Sequence, residues 1–455
     1  MEQVDTAFER LGPVDSLFWH LEGRPTHMHL GTLGVFEDTG LSLTEIRDHV
    51  AGCLPAIPRW TQKLQGVRFN VGHPVWVDDP TFDVAAPVTE VSLPAPAGHA
   101  ELYDFVADVN SHPIDPTRPL WRIWVVRMSD NRMALVMQAH HALADGISTW
   151  EIVTQLFDLE RDAPAKALPP APPRPAPTDA QLVRRTLGDH VGTLATTVRS
   201  LATSSRDDLT NVARSARSAF DYGRRGLSGP PKTSLNEPIG HRRRFLGVRT
   251  ELDAVKAIKK DNGCTVNDVV VALAAGGLRT LFAERDELYE GMEIRAMVPV
   301  SLHGDGAAPT GNDLGCFLVD LPVGEPDPLE RLRKISERFD EQKYGNSLEG
   351  LRAVTSVMPH LPPPLVRAVG GRLANGAFNV AISNVPGPSF PVYFRGGQML
   401  EPFPVLPLAG RSAVAISVMS YLDRLNFGVL GDHDLVPDLP LVGRGIEDEL
   451  ERLSA

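Results

Sequence analysis

The sequence predicts a mixed α/β fold, of the α+β kind, divided into two halves. Three observations carry this. The chain has 455 residues, 42% apolar and 22% charged, enough to bury substantial cores in two or three domain-sized units. Prolines cluster over 163–177 (APAKALPPAPPRPAP), a stretch that can hold neither a helix nor a central strand and therefore reads as a linker. On either side, runs of strand type and helically spaced apolar residues are interspersed without the strict βαβ order of a doubly wound sheet. The expected organisation is an N-terminal half at 1–162, a proline-rich and basic segment at 163–234, and a C-terminal half at 235–455.

In the first half, Trp121 to Met128 and Met133 to His140 are apolar and β-branched runs separated by Ser129, Asp130 and Asn131, which predicts a hairpin. Beyond His141 the pattern changes to helical spacing at Ile147, Trp150, Val153, Leu156 and Phe157, so HHALADG (140–146) joins a strand to a helix. In the middle segment, 181–225 holds eight arginines and four aspartates with no Lys or Glu, a local charge of +4 in a chain of net charge −12. Leu182, Leu187, Val191, Leu194, Val198 and Leu201 recur at spacings of three to five, an amphipathic pattern. Two readings stay open: a solvated helical hairpin packed on the body, or a basic surface resting on anionic lipid.

In the second half, Thr250 is expected to cap a helix running to Gly263, with Asp253 three residues on, and Thr265 to cap a second with the same spacing. Residues 294–302 and 316–323 read as strands and 329–343 as a helix. Residues 379–384 read as a strand ending in the Val-Pro-Gly-Pro turn of 385–388, with Gly387 as a turn residue. A hairpin over 413–430 precedes a C-terminal helix.

Composition excludes several classes. An acidic chain lacks the basic footprint of a general nucleic-acid binder, so no nucleic-acid partner is expected. Cys53, Cys264 and Cys316 are far apart with no CxxC spacing, which gives neither a zinc ribbon nor a disulfide framework and fits a reduced, cytoplasmic setting. Glu2, Asp5 and Glu9 stand where a secretory signal needs positive charge, so no export is expected. The longest apolar run, Val269 to Leu278, is half the ~20 residues of a spanning helix, leaving peripheral contact with the inner face of the cell membrane as the compatible membrane mode. G-x-S-x-G, P-loop and G-x-G-x-x-G patterns are absent.

The chemistry gathers at HHALADG. A neutral imidazole can take a proton from a hydroxyl near pH 7. Adjacent residues leaving a strand point in different directions, so only one of His140 and His141 can face a given cavity. Asp145 sits where the chain turns, and Gly146 permits unusual backbone angles. The spacing admits three readings: a metal pair lacking its third ligand, an inert structural pair, or a general base with its supports. Asn267 and Asp268, at the start of a helix, are typed either as oxyanion donor and support or as cap and packing.

HHALADG resembles the HHxxxDG signature of the acyl-CoA-dependent acyltransferase superfamily, with its chloramphenicol acetyltransferase-like folds and condensation domains. More narrowly, the chain resembles the bacterial wax ester synthase/diacylglycerol acyltransferase family over nearly its whole length outside 163–230. The resemblance is carried by LGPVDSLFWHLE (11–22), HMHLGTLGVFE (27–37), GHPVWVDDPTFD (72–83), RPLW (118–121), LNEPIG (235–240), TVNDVVVALAAGGLR (265–279), RAMVPVSL (295–302), GN (311–312) and SNVPGP (383–388). Pro87 departs from it, standing where the family would carry His after the Phe82-Asp83 pair.

The resemblance implies two similar halves with the active site between them, reached by a tunnel open to donor and acceptor from different sides. It implies transfer of a fatty acyl group from acyl-CoA to diacylglycerol or a long-chain alcohol, with acyl-CoA as co-substrate and no other cofactor or metal. His141 would be the base and His140 structural. Asp145 and Gly146 would shape the loop, with Arg295 bracing Asp145, and Asn267 would donate to the oxyanion. Asp268, Asn312 and Asn384 would support the site. A membrane or lipid-droplet surface is an expected partner.

Overall fold

The structure, a computed structural model, describes residues 8–23, 25–144, 154–166, 172–189, 217, 228–301, 314–344, 367–368, 371–372 and 376–455. In chain order its strands and longer helices in the first half are β1 (Glu9–Arg10), α1 (Pro13–Leu21), β2 (His29–Glu37), α2 (Leu43–Cys53), β3 (Gln62–Gln65), β4 (Val75–Asp78), β5 (Val88–Ser92), α3 (His99–Val109), β6 (Trp121–Arg127) and β7 (Arg132–His140). There follow β8 (Arg243–Glu251), α4 (Leu252–Asn262), α5 (Val266–Glu284), β9 (Ile294–Ser301), β10 (Leu314–Leu321), α6 (Pro328–Tyr344), β11 (Val380–Val385), β12 (Tyr393–Phe394), β13 (Gly397–Val405), β14 (Val414–Tyr421), β15 (Arg424–Asp432) and α7 (Pro440–Ser454).

Two six-stranded sheets organise the molecule, in the orders β12-β13-β2-β7-β6-β5 and β10-β9-β11-β14-β15-β8. The expected β6–β7 hairpin is present, and its turn places Asp130 and Asn131 at φ 61° and 59°. Paired positive φ angles are the primed-turn geometry that matches strand twist, and Asp and Asn tolerate it better than other side chains. The β14–β15 hairpin, β9–β10 pair and C-terminal helix also stand where the sequence places them.

The sheets do not divide where the sequence does. Residues 393–405 belong to the C-terminal stretch of the chain, yet β12 and β13 join the first sheet, with Phe403 of β13 opposite Leu33 of β2. The same strand is fastened to the second sheet: the Ser417 hydroxyl donates to the Pro404 carbonyl at 2.6 Å. A Cβ at Gly428 would lie 1.8 Å from that carbonyl oxygen, so only glycine fits under the crossing. One core cluster accordingly runs across both halves, from Leu33 and Val35 through Phe403 to Phe427 and Val429.

One expected helix start is corrected. Thr250 lies inside β8, opposite Leu425 of β15, and α4 begins two residues later because the ladder with β15 extends to Glu251. Thr265 does cap α5: its hydroxyl accepts from Asp268 N–H while the Asp268 carboxylate accepts from Thr265 N–H. By length and composition α5 could cross a membrane, but its apolar window is 72% buried and it forms the centre of the second half's core. Beside it, Arg331 of α6 and Glu449 of α7 form a bidentate ion pair, both side chains at most 2% exposed.

The proline-rich segment is fastened to the body. Arg174 grips Asp78 through its backbone N–H and its guanidinium, and Gln65 donates to the Pro177 carbonyl. The helix over 179–189 then packs Leu182, Val183 and Thr186 onto the small sheet β1-β4-β3. Arg10 secures it through Thr186 and Asp189. Leu187 is 52% exposed, because a step of five residues from Leu182 rotates it to the other side of the helix. The packed reading holds for 179–189; the rest of the basic segment, Arg217 apart, lies outside the described residues.

Candidate active site

β7 ends at His140, and His141 begins a 3-10 turn that runs to Ala144. The end of the strand is pinned on both sides. His140 N–H donates to the Leu120 carbonyl of the RPLW stretch at 2.9 Å, and His141 N–H donates to the Met28 carbonyl at 2.7 Å. The His141 ring is half-buried and lies face to face with Phe18 of α1, ring centroids 3.6 Å apart and planes 20° apart. Burial, aided by the neighbouring His140, pulls its pKa down to about 4, so the ring is neutral near pH 7. Its Nδ1 is buried and makes no hydrogen bond to another described residue.

His140 points the other way, 2% exposed, with Trp19 edge-on to its ring. Its Nδ1 accepts from Ala142 N–H at 3.0 Å, which puts the proton on Nε2, 3.5 Å from the Glu22 carboxylate. Glu22 is the hub of this layer. It accepts from Met28 N–H at 2.7 Å, contacts His27 Nδ1 at 3.2 Å and lies 3.8 Å from His29 Nε2. Burial raises the Glu22 pKa, but the neighbouring His140 ring, the contact with His27, the nearby His29 and the Met28 N–H outweigh that and hold it well below the usual carboxylate range. Burial drives His29 down to about 3. Glu22 thus supports both histidines of the motif: His140 directly, and His141 through the backbone of Met28.

The loop that backs His141 is held by the second half of the chain. Arg243 of β8 donates to the Pro25 carbonyl at 2.7 Å, and Gly410 N–H donates to the Thr26 hydroxyl at 3.2 Å. The candidate base therefore sits where the halves meet. A separate cavity of about 240 Å³ is lined by Phe82, Asp83, Pro87, Arg118, Pro119 and Trp121, among others, so the Phe-Asp pair, the departing Pro87 and the RPLW stretch face one space.

The other expected residues are dispersed or undescribed. Asp145, Gly146 and Asn312 lie outside the described residues, as does any Asp145–Arg295 pairing; the expected two-ended tunnel is not traced among the described residues. Arg295 of β9 pairs with Asp320 across the hairpin at 2.8 Å and donates to the Gly229 carbonyl. Asp268 is engaged in the α5 cap and accepts from the Ser336 hydroxyl at 3.1 Å. Asn267 is half-buried in the first turn of α5, and Asn384 is half-buried in β11 opposite Val418. Gly387 is more than a turn former: a Cβ there would lie 1.9 Å from the Ser420 carbonyl oxygen.

Phe18, Glu22, His27 and His29 fall inside the stretches that carry the family resemblance, which implies no individual role for them. One signal was available for the histidines, since 27 and 29 are two apart at the start of a strand and so face the same side. Among the described residues no group of three or more His, Cys, Asp or Glu side chains has metal-binding geometry.

Comparison with known proteins agrees with this geometry. A model of the wax ester synthase/diacylglycerol acyltransferase catalytic domain matches residues 11–270, and one of the WS/DGAT C-terminal domain matches 310–454. The chain is 31% identical over 454 residues to a probable diacylglycerol O-acyltransferase of Mycobacterium tuberculosis strain CDC 1551, covering 98% of this chain and 96% of that protein. The solved wax ester synthase/diacylglycerol acyltransferase from Marinobacter aquaeolei VT8 superimposes with a TM-score of 0.65 at 27% identity, covering 98% of each chain. The starter condensation domain of rhizomide synthetase, at 12% identity and a TM-score of 0.61 over 100% of this chain and 97% of that one, shares the fold. The chain belongs to the wax ester synthase/diacylglycerol acyltransferase family and is an acyltransferase.

Proposed function

We propose that this acyltransferase moves a fatty acyl group from acyl-CoA to the hydroxyl of a diacylglycerol or long-chain alcohol with His141 as general base. The observation that carries the reading is the His141 ring itself, neutral and held in orientation by Phe18 and the Met28 carbonyl. An alcohol attacks a thioester poorly until its proton is removed. His141 accepts that proton as the oxygen bonds to the acyl carbon; the tetrahedral adduct then expels the thiolate, which takes the proton back. Such help is worth roughly 10² to 10⁴ in rate. No acyl-enzyme forms. Glu22 and His140 hold the loop and touch no reacting atom. Asn267 is the proposed oxyanion donor, and Asp145, Gly146, Arg295, Asp268, Asn312 and Asn384 are proposed supports of the site.

The substrates are apolar, and the protein works at a membrane or lipid-droplet surface on the cytoplasmic side. Supporting this, Phe69 is 79% exposed at φ 63° with the Arg68 guanidinium 5.5 Å from its ring centroid, and Leu187 and Arg184 are exposed on the 179–189 helix. Incubation with palmitoyl-CoA tests the function. Free coenzyme A should appear only when dioleoylglycerol or hexadecanol is supplied, with the matching ester as product; thiol release without ester contradicts the reading.

A further inference from the structure

A cavity of about 610 Å³ forms a cleft between α3 of the first half and β8 of the second, floored by the loop leading into α7. That volume suits a nucleotide-sized group. Its two walls differ in charge. Asp104 and Asp108 face it from α3, both exposed, while His241, Arg242, Arg243 and Arg244 line it in one unbroken run. Arg242 is paired with Asp434 at 3.1 Å, and Arg243 is buried against Asp432 at 3.7 Å. Arg244 is different. It is half-buried, its Nε donates to the His433 carbonyl at 3.1 Å, and it has no carboxylate partner among the described residues. His241 is likewise without one. A guanidinium fixed by one hydrogen bond among the described residues, beside an open cleft, is arranged to grip an anion.

We propose that this cleft binds the adenosine 3′,5′-bisphosphate end of the acyl-CoA donor, with Arg244 and His241 on its phosphates and Asp104 or Asp108 accepting from its adenine amine or ribose hydroxyl. The assignment rests on acyl-CoA being the donor. A nucleotide carries both phosphate oxygens and N–H and O–H donors, so it satisfies both walls, whereas inorganic phosphate satisfies only the basic one; the vesicle arm of the test separates a lipid headgroup. One wall residue of the cleft also touches the loop that backs the base. Arg243, on its wall, donates to the Pro25 carbonyl in the loop whose Met28 carbonyl holds His141. Arg244 is thus a specificity residue for the part of the donor remote from the chemistry.

The test compares two donors bearing the same thioester, palmitoyl-CoA and S-palmitoyl-pantetheine, which lacks the nucleotide. Arg244→Gln should raise KM for palmitoyl-CoA about tenfold or more and leave the pantetheine thioester unaffected, with Arg244→Lys recovering most of the loss. An unchanged KM for palmitoyl-CoA, or an equal rise for both donors, overturns the assignment. Calorimetry with adenosine 3′,5′-bisphosphate reads the site without turnover: wild type should bind it and Arg244→Gln should bind it at least tenfold more weakly. No binding by wild type, or displacement of the bisphosphate by phosphatidylglycerol vesicles but not by coenzyme A, also overturns it. Bisphosphate binding that survives while palmitoyl-CoA is not turned over would sink the donor reading instead.

Discussion

The ring of Phe18 covers the imidazole of His141 at a centroid separation of 3.6 Å, so the first long helix of the chain fixes the plane of a side chain 123 residues later. Catalysis by a general base depends on aim as well as protonation state, and a misplacement of about 1 Å can cost on the order of 10² in rate. Phe18→Ala should therefore lower kcat by about ten- to a hundredfold with KM little changed. Steady-state kinetics with both substrates varied checks this; a pure KM effect would place Phe18 in substrate binding.

The depressed pKa of His141 sets the acid limb of activity. Its imidazole is a base only when neutral, that is above its pKa of about 4. The kcat/KM profile should stay level down to about pH 5 and fall as pH approaches 4, not near the unperturbed value of about 6.5. Because the folded pKa lies below the unfolded one, the same group contributes stability that is fully present above pH 6.5 and is lost progressively as pH falls toward 4. A limb near 6.5 would mean that the ring is solvated in the working enzyme.

Glu22 acts at one remove. Glu22→Gln keeps an acceptor for Met28 N–H but removes the charge that His27, His29 and His140 surround. The variant should lose roughly tenfold in kcat at unchanged KM, with acid unfolding moved to higher pH, since a carboxylate of depressed pKa contributes stability above its unfolded value that fades only as pH falls through the folded one. Chemical denaturation across pH 4–8 measures the shift.

Gly428 lies beneath the strand that crosses between the sheets. Its replacement by alanine would drive a methyl group into the Pro404 carbonyl, and Gly428→Ala should cost about 1 to 3 kcal/mol of stability, read as a lower Tm. The fully buried Arg331–Glu449 pair offers a second, independent check. Arg331→Ala strands a buried carboxylate and should cost about 3 to 5 kcal/mol, whereas pairing Arg331→Met with Glu449→Leu should recover much of it.

The sequence made the local pieces legible where one rule acts alone. The β6–β7 hairpin follows from alternation broken by Asp-Asn, and the Thr265 cap from its T-x-x-D spacing. Thr250 follows the same spacing and yet lies in a strand, because pairing of β8 with β15 outweighs a cap worth about 1 kcal/mol. β13 carries Pro402 and Pro404, which argue against a central strand; they are tolerated because among the described residues its far side meets only the two-residue β12, paired at Gly397 and Gln398. At the site, HHALADG marked the histidine pair, and the resemblance assigned the base to His141 and named the stretches that pin it, RPLW among them. Glu22 and Phe18 stayed unread because their importance arises from contacts about 120 residues away, which no local periodicity encodes.

The most direct measurement is single-turnover acyl transfer from palmitoyl-CoA to hexadecanol and to dioleoylglycerol, wild type beside His141→Ala, with circular dichroism confirming that both are folded. A neutral, aimed imidazole at 141 predicts a loss of about 10² to 10⁴ in rate for the variant with donor binding retained. Equal rates for the two proteins would contradict it, and the proton would then have to leave the alcohol by another route.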